Sequence, residues 1–333
     1  MSLRRTLSRT LLAASAVAAT ALVSGAGFQR LQEYRYGRLF PPPGRLVSVG
    51  GYSLHLVCKG SGTPTVLIAL GGYGASTAYA AELVDLLSAR TRSCVYDPPG
   101  QGWSEAGPDP GATSERYRAF VALLAAVDLD PPLLLVGESS GAHVARVAAA
   151  DPDVPVDGLV LVDPAFDDLG RERAHWSPEA QRRAARLRRL APAIPILAEV
   201  GLHRFVLRAP VDAAIAGMPE EVRESTLQQL LSRKAVRVLV DRNLKRTDAL
   251  QRVRDARIPA DVPLVVLTAR PDVESSGSAY QAAKEAYHSE LATRSTYGMH
   301  VVVEGAEHAM IGDRPAQVAQ TVIAVVEELA RKQ

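Results

Sequence analysis

Beyond residue 45 the apolar positions of the chain fall into two kinds of run. Residues 45–49 and 52–58 alternate apolar with polar about Gly50-Gly51, which is a hairpin signal. The runs at 65–70, 93–96, 133–136, 159–162 and 264–267 are instead continuously apolar, as strands buried on both faces of a parallel sheet are. Helical periodicity fills the intervals at 77–89, 114–127, 142–150, 278–291 and 315–329. Strand and helix in that alternation predict a doubly wound α/β fold.

One interval breaks the rhythm. About a hundred residues separate Val162 from Leu264, helical in character and without a strand signal. Within it, Ser177-Pro178-Glu179 offers a capping hydroxyl, a proline at the first helical position and an acid in the first turn. An insertion of this kind is expected to form a helical cap over residues 165–258, on a core made of 45–164 and 259–333. Its arginines, Arg182, Arg183, Arg186, Arg188 and Arg189, read as a solvated helix face.

The N-terminus belongs to neither pattern. Arg4, Arg5 and Arg9 precede a charge-free apolar stretch at 11–23, followed by Ser24-Gly25-Ala26-Gly27. This is the layout of a signal peptide with cleavage after Ala26, and Leu3-Arg4-Arg5-Thr6-Leu7 resembles a twin-arginine signal. A retained membrane anchor over 1–27 fits the same residues, although the stretch falls just short of the ~20 residues that span a bilayer. Residues 28–44 are expected as a linker ending in the stiff Pro41-Pro42-Pro43-Gly44 joint. On either reading the protein is exported, to the exterior, periplasm or cell envelope, with membrane association through its N-terminal segment as the second possibility. No other stretch is apolar and long enough to cross a membrane.

The 333 residues are 47% hydrophobic and 22% charged, which excludes a disordered chain and allows a large core. The formal charge is +2, but the first forty residues hold six Arg against Glu33 alone; the remaining 32 basic and 35 acidic residues leave the body at −3. A slightly acidic body offers no clustered basic face, so nucleic acid is not an expected partner. Two cysteines, Cys58 and Cys94, are too few for a disulfide scaffold or the usual zinc cluster, though in an oxidising compartment they can pair.

The strongest chemical signal is Gly137-Glu138-Ser139-Ser140-Gly141, between the apolar run at 133–136 and the helix expected from 142. In that setting Gly-x-Ser-x-Gly describes a nucleophile elbow, a strained turn that lifts the serine hydroxyl above the sheet, with glycines where the backbone is crowded. A hydroxyl is a poor nucleophile until a base takes its proton. Of seven histidines, His308 is the candidate: Glu304-Gly305-Ala306-Glu307-His308 follows the apolar run at 300–303 and precedes the last helix. His55, His143, His175, His203 and His288 lie in strand, helix or cap patterns where packing or surface roles are the default.

With these blocks on the page, the chain from about 45 to 329 resembles the α/β-hydrolase fold superfamily. Leu70-Gly71-Gly72-Tyr73-Gly74 lies where that family carries its oxyanion loop, with Gly71 at a position often held by His, and Asp97-Pro98-Pro99-Gly100-Gln101-Gly102-Trp103-Ser104 resembles its Asp-x-x-Gly-x-Gly-x-Ser loop. The resemblance implies an eight-stranded, mostly parallel sheet with helices on both faces and an inserted helical cap. It also implies that Ser139 attacks a carbonyl, that His308 takes and returns the proton, and that the backbone N–H groups of Tyr73 and Ser140 form the oxyanion hole beside Gly71 and Gly72. Two acids stand at strand ends where the family places the third member. Asp272 fits the commoner position after the seventh strand and is preferred; Asp163 fits the variant position after the sixth. The family's sheet order brings the strand ending at Cys58 against the one beginning near Cys94, so a Cys58–Cys94 disulfide is expected.

The implied activity is that of a serine hydrolase cleaving a carboxylic ester of a small or lipid-like substrate through an acyl-serine intermediate, with no metal or organic cofactor. The same triad serves amidases, peptidases, thioesterases and carbon–carbon bond hydrolases, and a non-catalytic hydrolase-fold binding protein is the alternative of a different class. A serine at position 139 argues against haloalkane dehalogenase and epoxide hydrolase chemistry, which on this fold uses a carboxylate nucleophile.

Overall fold

The computed structural model describes residues 2–72, 76–127, 129, 131–215, 218, 220–245, 250–272 and 278–331. A helix, α1 (Ser2–Leu39), precedes an eight-stranded sheet of β1 (Arg45–Ser48), β2 (Ser53–Lys59), β3 (Thr65–Ala69), β4 (Ser93–Tyr96), β5 (Leu133–Glu138), β6 (Gly158–Val162), β7 (Leu264–Arg270) and β8 (Gly298–Glu304). The strands lie in the order β1-β2-β4-β3-β5-β6-β7-β8. Only β2 runs against the rest, pairing antiparallel with β1 and β4. The helices between strands are α2 (Ala81–Ser88), α3 (Thr113–Ala126) and α4 (Gly141–Ala149). Between β6 and β7 lie helices α5 (Leu169–Ala174), α6 (Pro178–Leu190), α7 (Ile194–Glu199), α8 (His203–Ala214), α9 (Glu220–Leu230), α10 (Arg233–Lys245) and α11 (Leu250–Asp255), which together form an insertion between the two strands. Helices α12 (Ser278–Ala292), α13 (Met310–Asp313) and α14 (Pro315–Arg331) complete the chain.

The continuously apolar runs are the central strands, and β3, β5 and β6 are buried along their whole lengths. Successive side chains of a strand point to opposite faces. Leu67 and Leu135 therefore join a core shared with α3, α4 and α12, whereas Val66, Ile68, Leu134 and Val136 join a second core under α2 and α14. The hairpin at Gly50-Gly51 closes with the Val49 N–H donating to the Tyr52 carbonyl at 2.8 Å, and both glycines take positive φ, the conformation that a two-residue hairpin loop of this type requires. The helix expected from residue 77 begins only at Ala81, because Asp97 Oδ1 takes the Thr77 N–H at 2.5 Å and holds 76–80 as a turn. Cys58 and Cys94 stand opposite each other in the β2–β4 ladder and are bonded.

The insertion lies over the loops at the C-terminal ends of β3 and β4. Lys234 of α10 donates to the carbonyls of Gly102 and Ser104 at 2.9 and 2.6 Å, and a Cβ built on Gly111 would come within 2.8 Å of the Arg242 backbone nitrogen. The N-terminus departs from expectation. Residues 28–39, read from the sequence as linker, continue α1 without a break through Gly25 and Gly27. Their stability comes from the insertion: Gln29 is fully buried and accepts from Arg204 Nε at 2.6 Å, Glu33 receives Arg233 at 2.8 Å, and Tyr36 donates to Glu224 at 3.2 Å.

Candidate active site

The end of β5 delivers Ser139 in a left-handed conformation, φ +50°, a strained choice for a residue with a side chain. The neighbouring glycines permit it. A Cβ on Gly137 would lie 2.7 Å from Ala142 Cα, and one on Gly141 would lie 2.0 Å from the Ala69 carbonyl oxygen. The turn is pinned by the Ser139 N–H donating to the Val162 carbonyl at 3.0 Å.

His308 arrives on the loop after β8, where Gly305 at φ +68° turns the chain back over the sheet. Its Nε2 is 3.0 Å from Ser139 Oγ, and its Nδ1 is 2.6 Å from Asp163 Oδ2. The imidazole side chain is 55% exposed and Asp163 is fully buried, so the relay runs from the sheet interior to an accessible hydroxyl.

Asp163 ends β6 with φ +40°. That left-handed turn swings the carboxylate back across the sheet, where Oδ1 accepts from the Ala269 N–H at 3.0 Å and pairs with Lys284 Nζ at 3.1 Å. Desolvation alone would raise its pKa, but the hydrogen bond and charge of His308, with Lys284 and His288, outweigh it and hold Asp163 at about 2. Desolvation favours the neutral form of His308, yet the hydrogen bond to Asp163 and its charge prevail and raise the imidazole above its ordinary value. The preference for Asp272 is not met. That carboxylate is exposed beyond the end of β7, beside Gly305, and Asp163 occupies the position on His308 Nδ1.

Of the expected oxyanion elements, Tyr73 lies outside the described residues. Ser140 stands at the start of α4, with its backbone N–H at the positive end of that helix. Gly71 passes so close that a Cβ there would be 2.9 Å from Ser139 Cβ, and a Cβ on Gly72 would meet Ser140 Oγ at 3.1 Å and the Arg242 guanidinium of α10. The Asp97 loop is scaffolding: its buried carboxylate accepts from the Trp103 N–H at 2.8 Å and meets His55 Nδ1 at 3.0 Å. Likewise His288 is held between Thr268 Oγ1 at 2.7 Å and the Pro164 carbonyl at 2.8 Å, and burial lowers its pKa to about 4. Among the described residues no cluster of three or more His, Cys, Asp or Glu side chains is placed to hold a metal ion.

Two residues that the sequence reading passed over complete the site. Arg116 of α3 is fully buried; it donates to Ser140 Oγ at 3.0 Å, to the Leu70 carbonyl at 2.6 Å and to the Gly71 carbonyl at 3.4 Å. It ties the Leu70–Gly71 segment and Ser140 to one rigid cation. The signal was a charge on the apolar stripe Arg116, Phe120, Leu123 and Val127 of an otherwise amphipathic helix. Glu138, beside Ser139, is buried and accepts from Tyr79 Oη at 2.5 Å; burial raises its pKa.

The sequence profile of the alpha/beta hydrolase family matches residues 65–321. An uncharacterized protein of Schizosaccharomyces pombe (strain 972) is 34% identical over 85 residues, a match that spans 26% of this chain and 16% of that relative. Among solved structures, the haloalkane dehalogenase DbeA from Bradyrhizobium elkani USDA94 superposes with a TM-score of 0.69 at 16% identity, covering 87% of this chain and 99% of that one. The dehalogenase DatA from Agrobacterium tumefaciens C58 gives 0.68 at 18% identity, covering 86% and 96%. A serine hydrolase involved in carbazole degradation, the CarC enzyme, gives 0.58 at 16%, covering 85% and 98%. At these identities the structures share a fold, and the profile match over most of the length carries the assignment: the chain belongs to the alpha/beta hydrolase family.

Proposed function

We propose that the protein is a serine hydrolase that cleaves a carboxylic ester through an acyl-serine intermediate. The observation that carries the reading is the continuous contact from Ser139 Oγ through His308 to Asp163, at 3.0 and 2.6 Å. His308 Nε2 takes the Ser139 proton as the oxygen attacks the carbonyl carbon. Asp163 fixes the tautomer with Nδ1 protonated and stabilises the imidazolium that forms. The backbone N–H of Ser140, with that of Tyr73, receives the charge developing on the carbonyl oxygen. The proton on His308 then goes to the leaving alkoxide, and a water activated by the same imidazole releases the acid. The basic and apolar N-terminus, with the Cys58–Cys94 bridge, supports a site of action outside the reducing cytosol.

The test is covalent labelling by a fluorophosphonate, read by intact mass, beside hydrolysis of p-nitrophenyl esters. Labelling and turnover that disappear in both Ser139→Ala and His308→Ala are expected. A folded parent protein that neither labels nor turns over any ester would overturn the reading.

A further inference from the structure

The apolar and polar residues of the segment joining α7 and α8 are turned inside out. Within residues 190–207 two polar side chains face inward, His203 and Arg204, buried on the Leu231 carbonyl and on Gln29 and Gln228, while the half-exposed Glu199 is held by Arg233. Six large apolar ones face outward, while Ala191 and Ala198 are buried and Leu207 packs inward. Phe205 is 83% exposed, Val206 70% and Ile196 69%, with Leu190, Leu197 and Leu202 beside them. A water-facing surface is built the other way round, and contiguous apolar exposure of this kind marks a surface with an apolar partner.

What covers it is indicated by α1. Residues 12–24 of that helix are exposed on every side, and the helix contains a window of mean hydropathy 1.4 that is 6% buried. At ~1.5 Å per residue, positions 11–28 extend ~27 Å, close to the ~30 Å hydrocarbon core of a bilayer. The helix reaches the body of the protein at the same α7–α8 joint. A Cβ on Gly25 would lie 2.5 Å from the Val200 carbonyl oxygen, and Gly201 faces Gln29, so the two glycines let the backbones cross in contact. The exposed apolar joint therefore lies where the apolar helix ends, and the exposed arginines of α6 lead directly into it through Leu190.

We propose that the α7–α8 joint is a membrane-docking surface: Ile196, Leu202, Phe205 and Val206 enter the headgroup–acyl boundary beside the point where α1 leaves the bilayer, while the α6 arginines meet anionic headgroups. This rests on α1 being retained as an anchor and is independent of the catalytic reading. It sets the inserted helices, which lie over the loops after β3 and β4, against the lipid.

The experiment uses the full chain in phosphatidylcholine–phosphatidylglycerol vesicles, with and without brominated acyl chains. Flotation reports anchoring, and the emission added by Phe205→Trp, over that of the native tryptophans, reports the joint. Met299→Trp, on the exposed edge strand β8, serves as the control. Flotation with a blue-shifted Phe205→Trp signal that brominated lipid quenches, and no quenching at position 299, is the expected result. Flotation without quenching at 205 overturns the docking surface while leaving the anchor. A blue shift at 205 that brominated lipid leaves intact and that grows with protein density assigns the face to a second copy of this chain and overturns the proposal. Failure to float removes the anchor and the docking surface together, and leaves the labelling experiment on Ser139 unaffected.

Discussion

Replacing Asp163 with Asn separates its role from that of Asp272 and has a calculable cost. Both Asp163 oxygens are already committed: Oδ1 accepts from the Ala269 N–H and pairs with Lys284, and Oδ2 meets His308 Nδ1. An amide must keep its oxygen toward Ala269 and Lys284, so its NH2 turns to the imidazole. His308 then accepts at Nδ1 and carries its proton on Nε2, facing Ser139, in the tautomer that cannot take the serine proton. Loss of a triad acid in this way lowers kcat by about 10⁴-fold, equivalent to about 5 kcal/mol of barrier. Stability must be read alongside, because a buried pair that loses one partner costs about 3–5 kcal/mol, and Lys284 is left as the unpaired cation. A double variant, Asp163→Asn with Lys284→Met, removes that burden and isolates the tautomer. The assay is ester turnover and fluorophosphonate labelling rate on samples whose folding is verified by thermal melts. Asp272→Asn is expected to stay within about twofold, since its carboxylate is exposed, Asp163 already holds His308 Nδ1, and surface changes are usually small in effect. Turnover of a folded Asp163→Asn protein within tenfold of the parent, with collapse in Asp272→Asn, would refute the reasoning.

The raised pKa of His308 predicts that the acid limb of kcat/KM has its midpoint above the ~6.5 of a free imidazole and moves down in Asp163→Asn. In stability the signs are opposite: the contribution of protonated His308 is present at low pH and lost as pH rises through its raised pKa, whereas that of Asp163 is present above the ordinary carboxylate range and lost as pH falls toward about 2. Arg116→Met should reduce kcat with KM little changed, because a shift of about 1 Å in the oxyanion loop costs about 100-fold; a parallel rise in KM alone would contradict a positioning role. Reduction of Cys58–Cys94, which closes a loop of 36 residues, should lower stability by about 3–4 kcal/mol on loop entropy, seen as a lower melting temperature with dithiothreitol. Gly141→Ala, with its Cβ 2.0 Å from the Ala69 carbonyl oxygen, should cost both turnover and melting temperature, and an unchanged protein would show that the elbow relaxes freely.

Much of this architecture was legible because it is local. The buried strands announce themselves by unbroken apolar runs, and Ser139 and His308 stand in short motifs whose glycines are needed for backbone reasons alone. The acid that meets His308 was not legible in the same way. Both Asp163 and Asp272 follow parallel strands, and what separates them is a single left-handed φ at Asp163 and the Ala269 N–H of a neighbouring strand 106 residues away. The fate of α1 was hidden for a similar reason. Gln29, Glu33 and Tyr36 form a polar stripe at helical spacing, but their partners, Arg204, Arg233 and Glu224, lie 175, 200 and 188 residues further on. In the full chain, the small residues that fit a cleavage site also let α1 cross the insertion in close contact, at Gly25 against the Val200 carbonyl.

The placement of Asp163 has a consequence for how such a protein diversifies. The chain that leaves this carboxylate is also the root of the insertion, and that root is clamped: Phe166 stacks on Tyr287 with ring centroids 4.8 Å apart, and Asp167 pairs with buried Arg146 at 2.9 Å. The carboxylate on His308 and the inserted helices thus share one stem, with the rigid part on the side of the carboxylate. Asp168, which caps α5 by accepting the N–H groups of Gly170 and Arg171, is the natural splice point. Helices exchanged beyond it, between Leu169 and Asp255, would leave the Ser139–His308–Asp163 contacts in place, whereas a single residue gained or lost between Asp163 and Asp167 would move the carboxylate itself.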